Sequence, residues 1–276
     1  MVEPIEEPII FSSEPVGKYP VSRHSLNSVE TNIDVLAEEV PVALVYNGIS
    51  HAVMLATPQD LEDFALGFSL SEGILDSRAD LYGIEVISQE NGLALQLEIA
   101  TACFQRLKEK RRNLTGRTGC GLCGSESLDQ ALRLPLNKVN QRTKISDKAI
   151  YTALANIRGQ QHLQGLTGAT HASAWVSAAG DVLLLREDVG RHNALDKLIG
   201  AMAKKDSQSQ KGFILTTSRA SYEMVQKTVS AGCNILVAIS APTGLAIRMA
   251  QQSNLTLIGF AREQGFVVYS HAEAIV

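Results

Sequence analysis

The chain is predicted to be α/β. In its second half, short apolar β-rich runs alternate with segments of helical period. Its first half combines an Asn-Gly hairpin signal with an amphipathic helix. A third observation is that polar, glycine-bearing turns follow several strands and open helices, as at the carboxyl edge of open α/β sheets. With 276 residues, 45% hydrophobic and 20% charged, a real core can form in one large or two modest domains. The expected division is a tail over 1–35, a small α/β unit over 36–112, a loop over 113–143 and a larger unit over 144–276.

Residues 1–35 show no sustained period and read as a tail with at most a short strand. Val40–Tyr46 and Ser50–Ala56 flank Asn47-Gly48, the pair that supplies positive φ in a type I′ turn. Thr57 reads as the N-cap of the next helix, with Pro58 at its first position. Leu61, Phe64, Ala65 and Phe68 form one apolar face, and Gly73 stands where a C-cap belongs. Strands follow around Tyr82–Ser88 and Leu93–Ile99, then a helix over Thr101–Arg112 that ends in cations, as the helix dipole favours. Ser146 is expected to cap a helix bearing Ile150, Leu154 and Ile157. His171–Ser177 and Val182–Arg186 form a hairpin around Gly180-Asp181. Next come a helix bearing Leu195, Leu198, Ile199 and Met202, a strand Gly212–Thr217, a helix Arg219–Val229, a strand Asn234–Ser240 and a helix Leu245–Gln252. Strands Leu255–Phe260 and Phe266–Ser270 close the chain. The alternation implies a largely parallel sheet covered on both faces.

Net charge is −4, which argues against a general nucleic-acid binder. The acidic start, Met1–Glu7, has neither the basic nor the apolar region of a signal peptide, and no apolar run approaches a membrane span. Four cysteines in this length make no disulfide framework, and a reducing cytoplasm is the expected setting. Cys103 and Cys233 are isolated and read as small buried hydrophobes.

Cys120 and Cys123 stand two residues apart among glycines 116, 119, 121 and 124. Arg106, Lys108, Lys110, Arg111, Arg112 and Arg117 lie just upstream, and positive charge favours the reactive thiolate. Three chemistries compete. A structural zinc site needs four ligands, and no second pair has matching spacing. A thioredoxin-type dithiol begins a helix after a strand, whereas here glycines oppose a helix. A persulfide carrier needs a flexible segment, one attacking thiolate and a neighbour, and this fits best.

Polar residues crowd Arg186–Lys197 at a strand-to-helix turn. The helix amides with Arg191 and His192 suit a phosphate, although a simple capping cluster uses the same residue types. Thr216–Glu223, with Ser218 and Arg219, repeats the pattern, and Ser240–Gly244 is a third such turn. Between the last two strands, Phe260-Ala261-Arg262-Glu263-Gln264-Gly265 reads either as a hairpin loop or as a ligand contact, with Phe260 stacking and Arg262 on a phosphate or an edge. Thr170-His171-Ala172-Ser173 lacks the glutamate of a zinc deaminase, and the cysteine pair lies upstream of the histidine, so base and metal are both missing. Trp175 reads as core.

Together, Gly116–Gly124, Glu187–Lys197, Ser218–Lys227, Val40–Gly48 and Phe64–Gly73 resemble the formate dehydrogenase accessory sulfurtransferases, the FdhD family, from about Glu38 to near the C-terminus. The resemblance implies a sulfurtransferase that takes persulfide sulfur from a cysteine desulfurase. It would pass the sulfur to the molybdenum cofactor, bis-molybdopterin guanine dinucleotide, destined for formate dehydrogenase. Cys120 would carry the persulfide and Cys123 would assist. The larger unit would be a cytidine-deaminase-like α/β/α sandwich without zinc. The cofactor and its GDP-like moieties would be bound cargo, contacted by Phe260, Ala261, Arg262, Glu263, Gln264 and Gly265, with His171, Asp188, Arg191, His192, Ser218 and Arg219 completing the site. Arg191, His192 and Arg219 would neutralise pyrophosphate and Asp188 would accept from a guanine edge. The implied assembly is a homodimer, with no nucleic-acid or membrane partner. The alternative is a non-catalytic chaperone that binds the cofactor or the apo-enzyme.

Overall fold

The computed structural model describes residues 11–115, Val139, 143–205 and 211–276, the side chains of 110–115 excepted. The first two strands, β1 (Val16–His24) and β2 (Val29–Ala37), pair antiparallel into a separate ribbon where a tail was expected. Most of the ribbon's residues are exposed, including Val29 and Ile33, so its sequence carries little of the alternation that burial imposes.

The small unit comprises β3 (Val40–Tyr46), β4 (Ile49–Ala56), α1 (Leu61–Ser71), β5 (Leu81–Gln89), β6 (Gly92–Ile99) and α2 (Thr101–Thr115). Its strands lie in the order β4-β3-β6-β5, with β3 and β6 parallel. Asn47 and Gly48 take φ of 45° and 81°, as the type I′ turn requires. Val40, Val42, Leu44 and Tyr46 alternate inward along β3 and are fully buried. Against them pack Phe64, Ala65 and Phe68 of α1 and Cys103 and Leu107 of α2.

The start of α1 differs from the sequence reading. Asp60, not Thr57, is its N-cap, at φ 54° and without a side-chain cap bond. Thr57 is buried and bonded to the larger unit instead. The helix ends as expected. Gly73, at φ 63°, donates to Leu70 O, and the Ile74 amide donates to Ser69 O, satisfying carbonyls that the last turn leaves open.

The larger unit runs through α3 (Asp147–Ile157), α4 (His162–Thr167), β7 (His171–Ser177), β8 (Val182–Asp188), α5 (Arg191–Lys204), β9 (Gly212–Thr216), α6 (Tyr222–Ser230), β10 (Ile235–Ala238), α7 (Gly244–Gln252), β11 (Thr256–Arg262) and β12 (Gly265–Ser270). Ser146 caps α3 by accepting the Ala149 amide at 3.3 Å. The sheet order is β12-β11-β10-β9-β7-β8. Parallel pairing is confined to β9-β10-β11, and the other pairs are antiparallel, so the expectation of a largely parallel sheet holds only at its centre. The reason is local: β7-β8 and β11-β12 are tight hairpins, which force antiparallel pairing.

Helices α5, α6 and α7 cover one face of this sheet over Trp175, Ile214, Leu236 and Leu257. Ile150, Ala153 and Ile157 of α3 cover the other, over Val176, Phe213, Leu215 and Val237. The result is the expected α/β/α sandwich. The two units are welded through α1 and α5. A Cβ on Gly67 would overlap the Asp196 carbonyl, and one on Gly200 would overlap the Asp63 carbonyl, so the two backbones approach as only glycine permits.

Candidate functional site

The sheet's pairing decides which turns meet. β8, β9, β10 and β11 all point the same way, so their carboxyl ends share one edge, and β7 begins there, with His171 opposite Asp188. From that edge α5, α6 and α7 start, each presenting its N-terminal amides to the same rim. Short bonds join the turns. His192 Nε2 meets Glu223 Oε2 at 2.8 Å and Ser221 Oγ at 3.3 Å, linking the α5 and α6 starts. The Ala220 amide donates to Ala241 O and the Thr243 amide to Ala220 O, linking the α6 and α7 starts. The Phe260 amide donates to Ser240 O, and Ala172 exchanges bonds with Thr217. His171, Arg191, His192, Ser218, Arg219 and Phe260 therefore come together on one continuous rim.

Charge is concentrated there. Burial, then the charges of Arg191, Arg219 and His192, holds the pKa of half-buried His171 below 6.5. The hydrogen bond from His192 holds the Glu223 carboxyl below its usual range, against the effect of burial. Two buried polar atoms at or beneath the rim, Arg191 Nε and Ser173 Oγ, have no hydrogen-bond partner. Buried donors are rarely left so, and Arg191 Nε suits an anionic ligand, whereas Ser173 is fully buried. Phe260 holds φ of 52° beside a register shift between Gly259 and Arg262, and it stays 43% exposed. A bulky residue in the left-handed region is held there by its surroundings, here by the Ser240 bond and the bulge. Arg262, Glu263 and Gln264 are exposed and Gly265 is half-buried at φ 156°, whereas Ala261 is fully buried and offers no side-chain contact.

Asp188 differs from its expected role. It is fully buried, and its carboxylate already accepts from the Thr57 and Gly190 amides, from Asn193 Nδ2 and from Lys197 Nζ at 2.7 Å. No lone pair faces the rim for a guanine edge, so Asp188 is the post that holds the Gly190–Asn193 turn. Ser218 is also buried, bonded to Thr216 Oγ1 and to the Arg219 carbonyl.

The sequence places Glu187, Asn193 and Lys197 in the polar turn without assigning them a role, and it reads Thr57 as a cap. Lys197 Nζ also donates to Thr57 O, and Asn193 Nδ2 donates to Leu55 O, so the rim turn is tied to the β4–α1 junction of the small unit. Glu187 accepts the Leu163 and Gln164 amides of α4, a helix the sequence did not announce. The available signal was Asp196-Lys197 lying inside the apolar run Leu195–Ile199.

Cys120 and Cys123 lie outside the described residues. Their segment joins α2 of the small unit to Val139, which packs in the larger unit's core. Cys103 and Cys233 are buried as expected, and burial pushes the Cys233 thiol up to about 11. Cys103 approaches Asp76 and Asp80, but Arg106 Nη2 reaches Asp76 at 2.7 Å and Cys103 Sγ at 3.4 Å, placing a cation where a metal would sit. A groove lined by Asn47, Gly83, Glu85, Gln96 and Glu98 opens at the far end of β3 from Thr57, away from the rim. Among the described residues no helix is long and apolar enough to cross a membrane.

A model of the FdhD/NarQ family matches residues 37–276. A relative from Cupriavidus necator, named sulfur carrier protein FdhD, is 56% identical over 93% of this chain and 89% of its own. A relative of the same name from Bordetella petrii is 53% identical over 92% of this chain and 91% of its own. The crystal structure of a putative formate dehydrogenase accessory protein from Desulfotalea psychrophila matches with a TM-score of 0.74 at 20% identity. It covers 95% of this chain and 99% of that one, a likeness of fold.

Proposed function

The chain belongs to the FdhD/NarQ family, and from that premise we propose that it is a sulfur carrier that loads the molybdenum cofactor of formate dehydrogenase. The observation that carries the reading is the pairing of a glycine-set Cys120-x-x-Cys123 with a cationic rim built from three helix N-termini. The relatives' shared name supports the carrier role.

In the first step the Cys120 thiolate attacks the outer sulfur of a cysteine desulfurase persulfide. The donor's S–S bond breaks, the desulfurase cysteine leaves as thiolate, and a new S–S bond forms on Cys120. One disulfide-type bond replaces another, so no external oxidant is needed. Cys123, three positions along the chain, is the neighbouring thiol of the pair. The substrate cofactor carries guanine dinucleotide phosphates, and the rim fits them. Arg191 and Arg219 bring positive charge, the α5–α7 amides are donors, and Phe260 offers an exposed ring for stacking a base. On delivery the Cys123 thiolate attacks the inner sulfur of Cys120, the persulfide S–S bond breaks, a Cys120–Cys123 disulfide forms and the outer sulfur leaves at the sulfide level for the substrate cofactor, after which a cellular thiol reduces the disulfide again. The rim's part is to hold the nucleotide. A homodimer and a cytoplasmic setting belong to the same reading.

The test is direct. With a desulfurase and sulfur-labelled cysteine, label is expected on Cys120, and Cys120→Ala is expected to abolish formate dehydrogenase activity in cells. Intact activity in that variant, with loss in Arg191→Ala, favours the non-catalytic chaperone instead.

A further inference from the structure

Helix α2 is the last described element before Cys120, and its charge runs against that of the chain. Between Arg106 and Arg112 five cations accompany one carboxylate, Glu109, in a protein of net charge −4. The helix dipole favours cations only in the last turn, and Arg106 and Lys108 lie further back. Packing does not require them either, since Cys103 and Leu107, one turn apart, make the buried contact. Two of the cations are fixed at the surface. Arg106 is exposed and held by Asp76 at 2.7 Å, and Lys108 Nζ lies 4.7 Å over the Phe104 ring. From Thr115 to Cys120 is five residues, which span at most about 18 Å by any path. A protein seated on the end of α2 thus has Cys120 within that distance.

We propose that α2 is the landing surface of the sulfur donor, and that the donor presents an acidic patch to it. The inference rests on the carrier reading above and adds to it where the first partner binds. Charge complementarity selects an acidic protein surface, because a long polyanion such as nucleic acid would also meet the net negative remainder of the chain. One rival occupant is on the chain itself. Phe11 packs on the same cluster as Cys103 and Leu107, and Glu3, Glu6 and Glu7 lie within eight residues of it.

The test compares two donors on the full chain, a cysteine desulfurase charged with labelled cysteine and a low-molecular-weight persulfide such as glutathione persulfide. In Lys108→Glu/Arg112→Glu, the ratio of protein-donor to small-donor transfer onto Cys120 is expected to fall about tenfold at low salt and to recover toward the unmodified ratio at high salt. Equal loss with both donors overturns the proposal and assigns the cations to the thiol's own ionisation. No change with either also overturns it. If Glu3→Gln/Glu6→Gln/Glu7→Gln removes the effect of charge reversal, the occupant is the chain's own start and the donor site lies elsewhere. If the unmodified chain takes label from neither donor, the carrier reading itself fails, and this inference with it.

Discussion

His171 faces Arg191, Arg219 and His192, and its ionisation is coupled to whatever anion meets them. Its pKa is held below 6.5 in the folded chain, so folding favours the neutral ring. Its contribution to stability is complete above pH 6.5 and is lost as pH falls through that value toward the folded pKa. A bound anion opposes the neighbouring cations and raises the pKa, so binding takes up protons. The affinity for guanosine diphosphate is therefore expected to rise as pH falls from about 8 to about 6, by less than about tenfold per unit for one linked proton. His171→Gln should flatten that slope in a calorimetric titration; identical slopes would remove His171 from the rim's electrostatics. Lys197 is fully buried beside Asp188. Burial presses its pKa down, against the charge of Asp188 at 2.7 Å. Lys197→Met leaves a buried carboxylate without its cation, and a loss of about 3–5 kcal/mol in urea unfolding is expected. A change below about 1 kcal/mol would show that the amide donors alone satisfy Asp188.

At the scale of elements, α1 and α5 cross at Gly67 and Gly200, where an added Cβ meets carbonyl oxygens. Gly→Ala in a helix ordinarily gains up to about 1 kcal/mol. Gly165 in α4 has open space around it and should follow that rule. Gly200→Ala should do the reverse, losing about 1–3 kcal/mol as the helices are pushed apart. Thermal unfolding of the two variants side by side gives opposite signs if the crossing is as tight as described. The same elements show what a sequence can and cannot disclose. The β3–β4 turn, the Ser146 cap and the α1 C-terminus were legible because each depends on residues adjacent in the chain. The three rim turns were legible for the same reason. Thr57 reads as a cap in sequence because its true partners, Asp188 and Val189, lie more than 130 residues away. Asp188 reads as a ligand contact because a carboxylate in a polar turn looks the same in sequence whether it faces solvent or Lys197. The β1–β2 ribbon was missed because it buries little, and so its residues show no burial-imposed period.

For the molecule as a whole, buried and part-buried ion pairs cross the boundary between the units. Lys227 of α6 donates to Asp196 of α5 at 2.9 Å and to Ser71 and Glu72 at the end of α1. On the other side Asp63 of α1 joins Arg186 of β8 and Lys204 of α5. Opening the boundary strips these charges of partners, so neither unit is expected to unfold ahead of the other. Calorimetry should show one transition whose measured and van't Hoff enthalpies agree; two resolved peaks would mean independent units. One further consequence concerns Trp175, the chain's single tryptophan, which is 4% exposed and lies so close to Gly212 that a Cβ there would come within 2.7 Å of its ring. The protein thereby carries its own lamp, set in the buried interior of the larger sheet. Its emission belongs at the blue end of the indole range and shifts red only when water enters that interior, while the four-stranded sheet stays dark in the same channel.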